Sequence, residues 1–182
     1  KSKNYQLTAF LIEDDDKAAK RFEGEISDLK IVRPNLVNDT IALKQDFFSF
    51  MIGNTDWSNT NQHNVKIMER KDRKLIPLPY DFDLSGFVSA PYALPYDYLP
   101  IKTVQERLYR GICREPELVE FVRDDFLMKE GEIYKILESL EGEIRNSDYK
   151  VARNFISDFF EIMKDEEQFE AQIISQCVPN TY

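Results

Sequence analysis

The residues whose types and spacing could do chemistry lie on a short polar stretch and just beyond it. Asp56 stands on that stretch, and Asn64 follows eight positions later. The carboxylates of Asp81 and Asp83 come next, after one predicted hairpin. A phosphoryl-transfer site needs a carboxylate to orient the attacking hydroxyl, and then an amide and a carboxylate to hold magnesium. The order of these side chains is therefore the order that phosphoryl transfer requires.

Asp56 has two interpretations from sequence alone. As a general base it would accept a hydrogen bond from a substrate hydroxyl and take its proton late in transfer. As a turn residue it would cap the backbone within Asn54-Thr55-Asp56, which aspartate side chains do routinely. His63 is the only histidine, so zinc clusters built on several histidines are excluded. We expect His63 to orient the loop through a backbone hydrogen bond, with a catalytic role as the alternative.

Asn64 precedes one apolar run and Asp81 follows the next, so a hairpin would bring both to the same end. Magnesium prefers one or two carboxylates together with phosphate oxygens and water. Asp83 lies two positions after Asp81, and two close carboxylates repel each other unless a cation or hydrogen-bond donors separate them. The sequence therefore predicts a magnesium site at Asn64, Asp81 and Asp83.

Two other metal-binding interpretations use the same Asp-Phe-Asp. The run from Asp81 to Gly86 resembles the start of a calcium-binding EF-hand loop, but its twelfth position holds Tyr92 where glutamate is required. That interpretation fails. Metal-dependent glycosyltransferases also use Asp-x-Asp and remain an outside alternative, although no alternating strand and helix pattern precedes the motif.

A buried helix and a hairpin are predicted to position these residues. Asn38-Asp39 can cap a helix from Thr40 to about Ile52, which is apolar on most sides and ends at Gly53. Residues 54–64 form a polar loop by composition. The apolar runs Val65–Met68 and Leu75–Leu78 predict an antiparallel hairpin.

The remainder is predicted to be mainly helical. A short strand over residues 5–12 leads into a helix that extends through Arg21 and has the acidic run 13–16 as its first turn. Residues 91–100, rich in proline and tyrosine, are irregular. From residue 101 to 176 the apolar spacing predicts helices throughout. The first of these carries Val104, Leu108 and Ile112, with an ion pair between Glu106 and Arg110, and the next begins at Pro116. Later stripes comprise Ile133, Ile136, Leu137, Leu140 and Ile144, and then Tyr149, Ala152, Phe155, Ile156, Phe159, Phe160 and Met163, with Ser147 as the N-cap.

Composition limits the function classes. A chain of 182 residues that is 42% hydrophobic can bury one sizeable core, so we expect a single domain over residues 1–182. A net charge of −9 argues against nucleic-acid binding, and the basic cluster at residues 70–74 is expected to be a solvated turn. The sequence contains no run of 18 apolar residues, so no membrane span is predicted. Cys113 and Cys177 have neither metal-ligand spacing nor the density of a disulfide framework. The compartment cannot be read from these features.

The segments Ile52–Trp57, His63-Asn64 and Pro79–Gly86 together resemble the catalytic region of spore-coat CotH-type kinase-like proteins, and more distantly HipA-type and phosphatidylinositol-kinase-like enzymes. The resemblance implies that Asp56 serves the hydroxyl nucleophile and that Asn64 and Asp81 hold metal. Asp81-Phe82 would stand where kinases have Asp-Phe-Gly, with Asp83 replacing the glycine. The backbone of Leu11-Ile12-Glu13 would be the hinge strand that binds adenine.

The six glycines form no Gly-x-Gly, and no Val-Ala-x-Lys on a predicted strand precedes Ile52. The sequence features of a kinase N-terminal lobe are therefore absent from this chain. The chain begins with Lys-Ser-Lys rather than Met, which suggests an excised piece of a longer protein. We therefore expect an α+β, mainly α fold like a kinase C-terminal lobe, with a small β-hairpin beside the active-site loop at residues 54–86. The expected partners are ATP, Mg²⁺ or Mn²⁺, a missing N-terminal lobe, and a hydroxyl acceptor on a protein or small molecule. The alternative is a catalytically inactive binding or scaffold module.

Overall fold

The computed structural model describes residues 12–180, and over this range the fold is α+β and mainly α. Residues 12–180 form six α-helices and one three-stranded antiparallel sheet. The helices are α1 (Asp15–Arg21), α2 (Asp39–Met51), α3 (Pro116–Met128), α4 (Glu130–Glu138), α5 (Asn146–Lys164) and α6 (Glu166–Gln172). The strands are β1 (Gly24–Ile26), β2 (Val65–Arg70) and β3 (Leu75–Pro79), and short 3₁₀ turns occupy Pro34–Leu36 and Ile174–Gln176.

Helix α2 is the centre of the main core, as its apolar circumference predicts. The Asn38 side chain caps it by accepting a hydrogen bond from the Ile41 N–H at 3.0 Å. Phe47 and Phe50 are buried among aromatic side chains of α3, α5 and α6, which pack at tilted or edge-to-face angles. This packing fixes the C-terminal end of α2, from which the polar loop departs.

Asp46 is a carboxyl group of α2 that is buried in this core. Burial raises its pKa to about 7, although Arg114 and a backbone hydrogen bond from Ile112 act in the opposite direction. A folded-state pKa above the unfolded value means that the folded protein binds the extra proton between about pH 4 and 7. The Asp46 contribution to stability is therefore present at low pH and is lost as pH rises through about 7.

We expect Asp46→Asn to remove this pH dependence. The free energy of unfolding of the wild type, relative to the variant, should fall between about pH 4 and 7 with a slope approaching about 1.4 kcal/mol per pH unit. Urea unfolding at several pH values measures it, with exposed Asp124→Asn as the matched control. Parallel pH profiles for the wild type and Asp46→Asn would contradict the prediction.

The predicted hairpin is confirmed. Strands β2 and β3 pair antiparallel with Val65 opposite Pro79 and Glu69 opposite Leu75. The basic residues Lys71, Arg73 and Lys74 lie in the exposed turn between them, as expected, whereas Arg70 is the last residue of β2. Sequence analysis missed β1, which adds a third strand by pairing Gly24 with Arg70. A three-residue strand containing glycine has no periodic pattern, so only its pairing with β2 defines it.

The helix predicted from residue 101 is wrong, since residues 101–115 are irregular. The Glu106 carboxylate accepts from the backbone N–H groups of Lys102 and Thr103 instead of pairing with Arg110. Arg107 donates to the carbonyls of Phe50 and Met51, which lie at the C-terminal end of α2 where carbonyls lack helical partners. These tertiary hydrogen bonds outweigh the local helical spacing.

The later helices follow the prediction more closely. Helix α3 starts at Pro116, and all seven residues of the stripe predicted from Tyr149 to Met163 are buried on α5. Helix α5 begins at Asn146 with Arg145 as its N-cap residue, so Ser147 as the cap is wrong. The stripe predicted from Ile133 to Ile144 fails in part, because α4 ends at Glu138 and only Leu137 among its residues is fully buried.

The strand predicted over residues 5–12 falls outside the described residues except for Ile12. Leu11 lies outside them, and Ile12 and Glu13 are exposed and irregular. Helix α1 begins where the acidic run predicts, with the Asp14 carboxylate accepting from the Lys17 N–H at 3.2 Å. Within residues 12–180 no helix is both long and apolar enough to cross a membrane.

A disulfide joins Cys113 to Cys177 across 64 positions of sequence. Sequence spacing gave no reason to pair them. Next to the bridge, the Val178 N–H donates to the Gly111 carbonyl and the Cys113 N–H donates to the Val178 carbonyl, both at 2.9 Å. The C-terminal segment is thereby fastened to the irregular segment that follows residue 101.

Candidate active site

The loop that carries Asp56 is fixed where it leaves α2. Gly53 has φ +63°, a left-handed conformation that suits glycine, and the Asn54 N–H donates to the Ser49 carbonyl at 2.7 Å. The Asn54 side chain then accepts from the Asp56 N–H at 2.9 Å. Asn54 therefore makes the Asx turn, and the Asp56 carboxylate is directed at other side chains.

Three side chains donate to or share a proton with the Asp56 carboxylate. His63 Nε2 lies 2.7 Å from Oδ1, and the Tyr96 hydroxyl donates to the same oxygen at 2.9 Å. Asn64 Nδ2 donates to Oδ2 at 2.8 Å and to the Asp56 carbonyl at 2.9 Å. The Asp56 side chain is only 10% exposed. Its carboxylate is consequently held in one orientation at the edge of solvent.

His63 and Asn64 reach Asp56 because the polar loop closes on itself. The backbones of Ser58 and His63 exchange hydrogen bonds at 2.9 and 3.0 Å. Asn64 then takes a left-handed conformation with φ +51°, and its carbonyl accepts from the Tyr80 N–H at 3.0 Å. A non-glycine residue in this region is uncommon, and such backbone conformations concentrate at functional sites.

Asp81 occupies the same end of the hairpin as Asn64 and is also left-handed, with φ +59°. Slight desolvation, together with the neighbouring Asp83 and Asp56 carboxylates, raises the pKa of Asp81, which is an exposed residue. Phe82 packs edge-on against Phe48 of α2 with ring centroids 5.6 Å apart. The Asp81-Phe82-Asp83 segment is thereby fixed to the helix from which the Asp56 loop departs.

The aspartates form an acidic face beside Asp56. The Tyr92 hydroxyl donates to Asp83 Oδ2 at 3.0 Å, and this hydrogen bond raises the pKa of Tyr92. Within residues 12–180 no three His, Cys, Asp or Glu side chains are grouped closely enough to hold a metal ion by themselves. The oxygens of Asn64, Asp81 and Asp83 nevertheless suit a hard cation that takes its remaining ligands from phosphate and water.

Sequence analysis missed two residues that complete the site. Tyr96 belongs to the irregular proline- and tyrosine-rich segment, and its hydrogen bond to Asp56 raises the pKa of its hydroxyl. Arg110 donates to the carbonyls of Thr55 and Trp57, which flank Asp56 in sequence. The cluster of tyrosines was a compositional signal for the first, whereas nothing local distinguished Arg110 from other arginines.

The proposed hinge residues are not joined to this group. Leu11 lies outside the described residues, and no hydrogen bond or ion pair connects Ile12 or Glu13 to Asp56 or its partners. Glu13 instead pairs with Arg21 of α1 at 2.5 Å. The described residues therefore show no contact between the proposed hinge and the acidic face.

Comparisons of the chain with protein-family models, with curated proteins and with solved structures gave no match.

Proposed function

We propose that this chain is the C-terminal lobe of an ATP-dependent phosphotransferase that uses Mg²⁺ or Mn²⁺. Its substrate is a hydroxyl group on a protein or a small molecule. The observation that carries the proposal is the nearly buried Asp56 carboxylate, which already accepts a hydrogen bond from a hydroxyl, that of Tyr96, at 2.9 Å. This is the contact that a general base makes with an acceptor hydroxyl before transfer.

The residues around Asp56 support this role by positioning it. An acceptor hydroxyl that displaces Tyr96 would donate to Oδ1, the oxygen that faces both Tyr96 and His63. Asn64 holds Oδ2 and so keeps the carboxylate from rotating. Asp56 would take the hydroxyl proton as the oxygen bonds to the γ-phosphorus, and ADP would leave with the electron pair of the broken P–O bond.

Asn64, Asp81 and Asp83 would hold the divalent ion. The ion supplies charge neutralisation at the phosphate oxygens when it is bound. The raised pKa of Asp81 fits this assignment, because adjacent carboxylates ionise more readily when a cation separates them. The Asn64 amide already directs Nδ2 at Asp56, which leaves its Oδ1 as the atom for a cation.

The second candidate is a catalytically inactive binding or scaffold module with the same fold. One observation favours it: the Asp56 carboxylate already has three polar side-chain partners, so the arrangement is complete as a structural network. Buried polar networks of this kind can rigidify a loop without any chemistry.

Transfer from radiolabelled ATP to candidate hydroxyl acceptors, in the complete protein with Mg²⁺ or Mn²⁺, separates the two. Chelation of the metal should abolish transfer if the phosphotransferase proposal is right. If the intact wild type neither transfers phosphate nor binds nucleotide, the result would favour the inactive module.

Tyr96→Phe tests whether the tyrosine occupies the acceptor position. We expect the variant to raise kcat/KM for the acceptor roughly threefold to tenfold, because the acceptor no longer displaces a hydrogen bond worth about 1 kcal/mol. Tyr98→Phe is the matched control, since Tyr98 stacks on Tyr96 with centroids 5.4 Å apart without bonding to Asp56. Loss of activity in Tyr96→Phe would show that the tyrosine assists the reaction instead.

A further inference from the structure

A cavity of about 240 Å³ lies on the α2 side of the Asp56 loop. It is partly open to solvent and is lined by Asp46 of α2, by loop residues Trp57 and Asn59, and by Arg110 and Arg114 of the irregular segment. Val178, next to the disulfide, lies at its edge. The volume equals that of about eight liquid waters and is below the range of drug-sized pockets, so it suits a small polar group.

Three side chains that line the cavity carry a buried polar atom without a hydrogen-bond partner among the described residues. They are the Trp57 indole nitrogen Nε1, Asn59 Oδ1 and Arg114 Nε. Two of these are N–H donors, and the Asn59 amide can present its NH₂ by rotating about its last bond. A buried polar group without a hydrogen-bond partner destabilises the folded protein. A ligand that accepts hydrogen bonds would recover part of that lost stability.

The charge of the lining favours an anion. Arg114 pairs with Asp39, but within residues 12–180 Arg110 forms no ion pair and donates only to backbone carbonyls. Asp46 is the lining carboxyl, and burial raises its pKa to about 7, so its negative charge is reduced at and below neutral pH. Carboxylates and phosphates bind where arginine side chains and N–H donors without partners line the same cavity.

We propose that this cavity binds a small oxyanion, a carboxylate or a phosphate group, through Arg110, Arg114 and the indole N–H of Trp57. Arg110 also holds the carbonyls on both sides of Asp56. The bound anion therefore contacts the arginine that positions the Asp56 loop. This site is separate from the acidic face and does not depend on the phosphotransferase proposal.

Trp57 is the only tryptophan of the chain, so its fluorescence reports directly on the cavity. Inorganic phosphate and succinate are titrated separately at constant ionic strength, with sodium chloride as the salt control. We expect a saturable change in emission with at least one of them, and a shift of the indole N–H signal in the ¹⁵N NMR spectrum. The two arms distinguish a phosphate from a carboxylate as the preferred group.

Arg114→Gln should weaken this binding at least about tenfold, since it removes a charge-assisted hydrogen bond to the anion. Arg145→Gln is the matched control, because Arg145 is exposed and pairs only with Asp148 at the start of α5. Circular dichroism establishes whether both variants fold. If Arg114→Gln does not fold, the NMR titration of the wild type tests the proposal by itself. A response that fails to saturate, that chloride reproduces, or that Arg114→Gln leaves unchanged would show that the cavity holds water only.

Discussion

In the complete protein, Asp56→Asn is expected to lower turnover by about 10²–10⁴-fold, the range for loss of a general base. Asparagine keeps the shape of the side chain and can still accept one hydrogen bond, but it cannot take a proton at neutral pH. Nucleotide affinity should be largely retained, because Asp56 contacts the acceptor hydroxyl rather than the phosphates. The measurement is initial-rate phosphoryl transfer from radiolabelled ATP, alongside nucleotide binding.

Two further variants make this result specific. Asp81→Asn should weaken metal and nucleotide binding together, because it removes a charge that the divalent ion needs. Asp97→Asn should change neither quantity, since Asp97 is exposed in the segment that carries Tyr96 and has no assigned role. Robust transfer by Asp56→Asn would contradict the general-base assignment. An equal loss of nucleotide affinity in Asp56→Asn and Asp81→Asn would instead indicate that Asp56 is a metal ligand.

Removing the disulfide in the double variant Cys113→Ala, Cys177→Ala is expected to lower the free energy of unfolding by roughly 2–4 kcal/mol. The bridge closes a long loop, since its cysteines have a sequence separation of 64, and so restricts the unfolded chain strongly. In the folded state it fastens the backbone pairing between Val178 and Gly111. The measurement is urea unfolding of the wild type and the double variant without reductant.

Reductant provides the control for this second prediction. Dithiothreitol should shift the unfolding midpoint of the wild type towards that of the double variant and leave the double variant unchanged. Equal midpoints for both proteins without reductant would mean that the two cysteines do not form a stabilising bridge in solution.

Local sequence patterns were sufficient to predict an element where the residues that form its stabilising contacts lie in the same segment. The cap of α2 at Asn38, the hairpin of β2 and β3, and the buried stripe of α5 each follow from neighbouring residues or a simple period. The same holds for the position of Asn64 and Asp81 at one end of the hairpin. Residue types and hairpin geometry are enough to place them there without any tertiary contact.

Other features depend on partners far apart in sequence. The segment after residue 101 has helical spacing, yet Arg107 bonds to carbonyls at the end of α2, 57 and 56 positions away. Strand β1 exists only because β2 offers it an edge. The Cys113–Cys177 bridge likewise needs two segments to meet, and no local period reports such a meeting.

The candidate site likewise combines features that local sequence predicts with features that depend on distant residues. The sequence by itself determined the α+β, mainly α class, the helix and hairpin that flank the loop, and the choice of Asp56, His63, Asn64, Asp81 and Asp83 as its polar residues. Only the tertiary structure decided that Tyr96 donates to Asp56 from 40 positions away and that Arg110 holds the carbonyls beside it. The physical reason is that caps, turns and amphipathic periods are short-range constraints, whereas the surroundings of a carboxylate depend on which distant side chains the packed core brings within hydrogen-bonding distance.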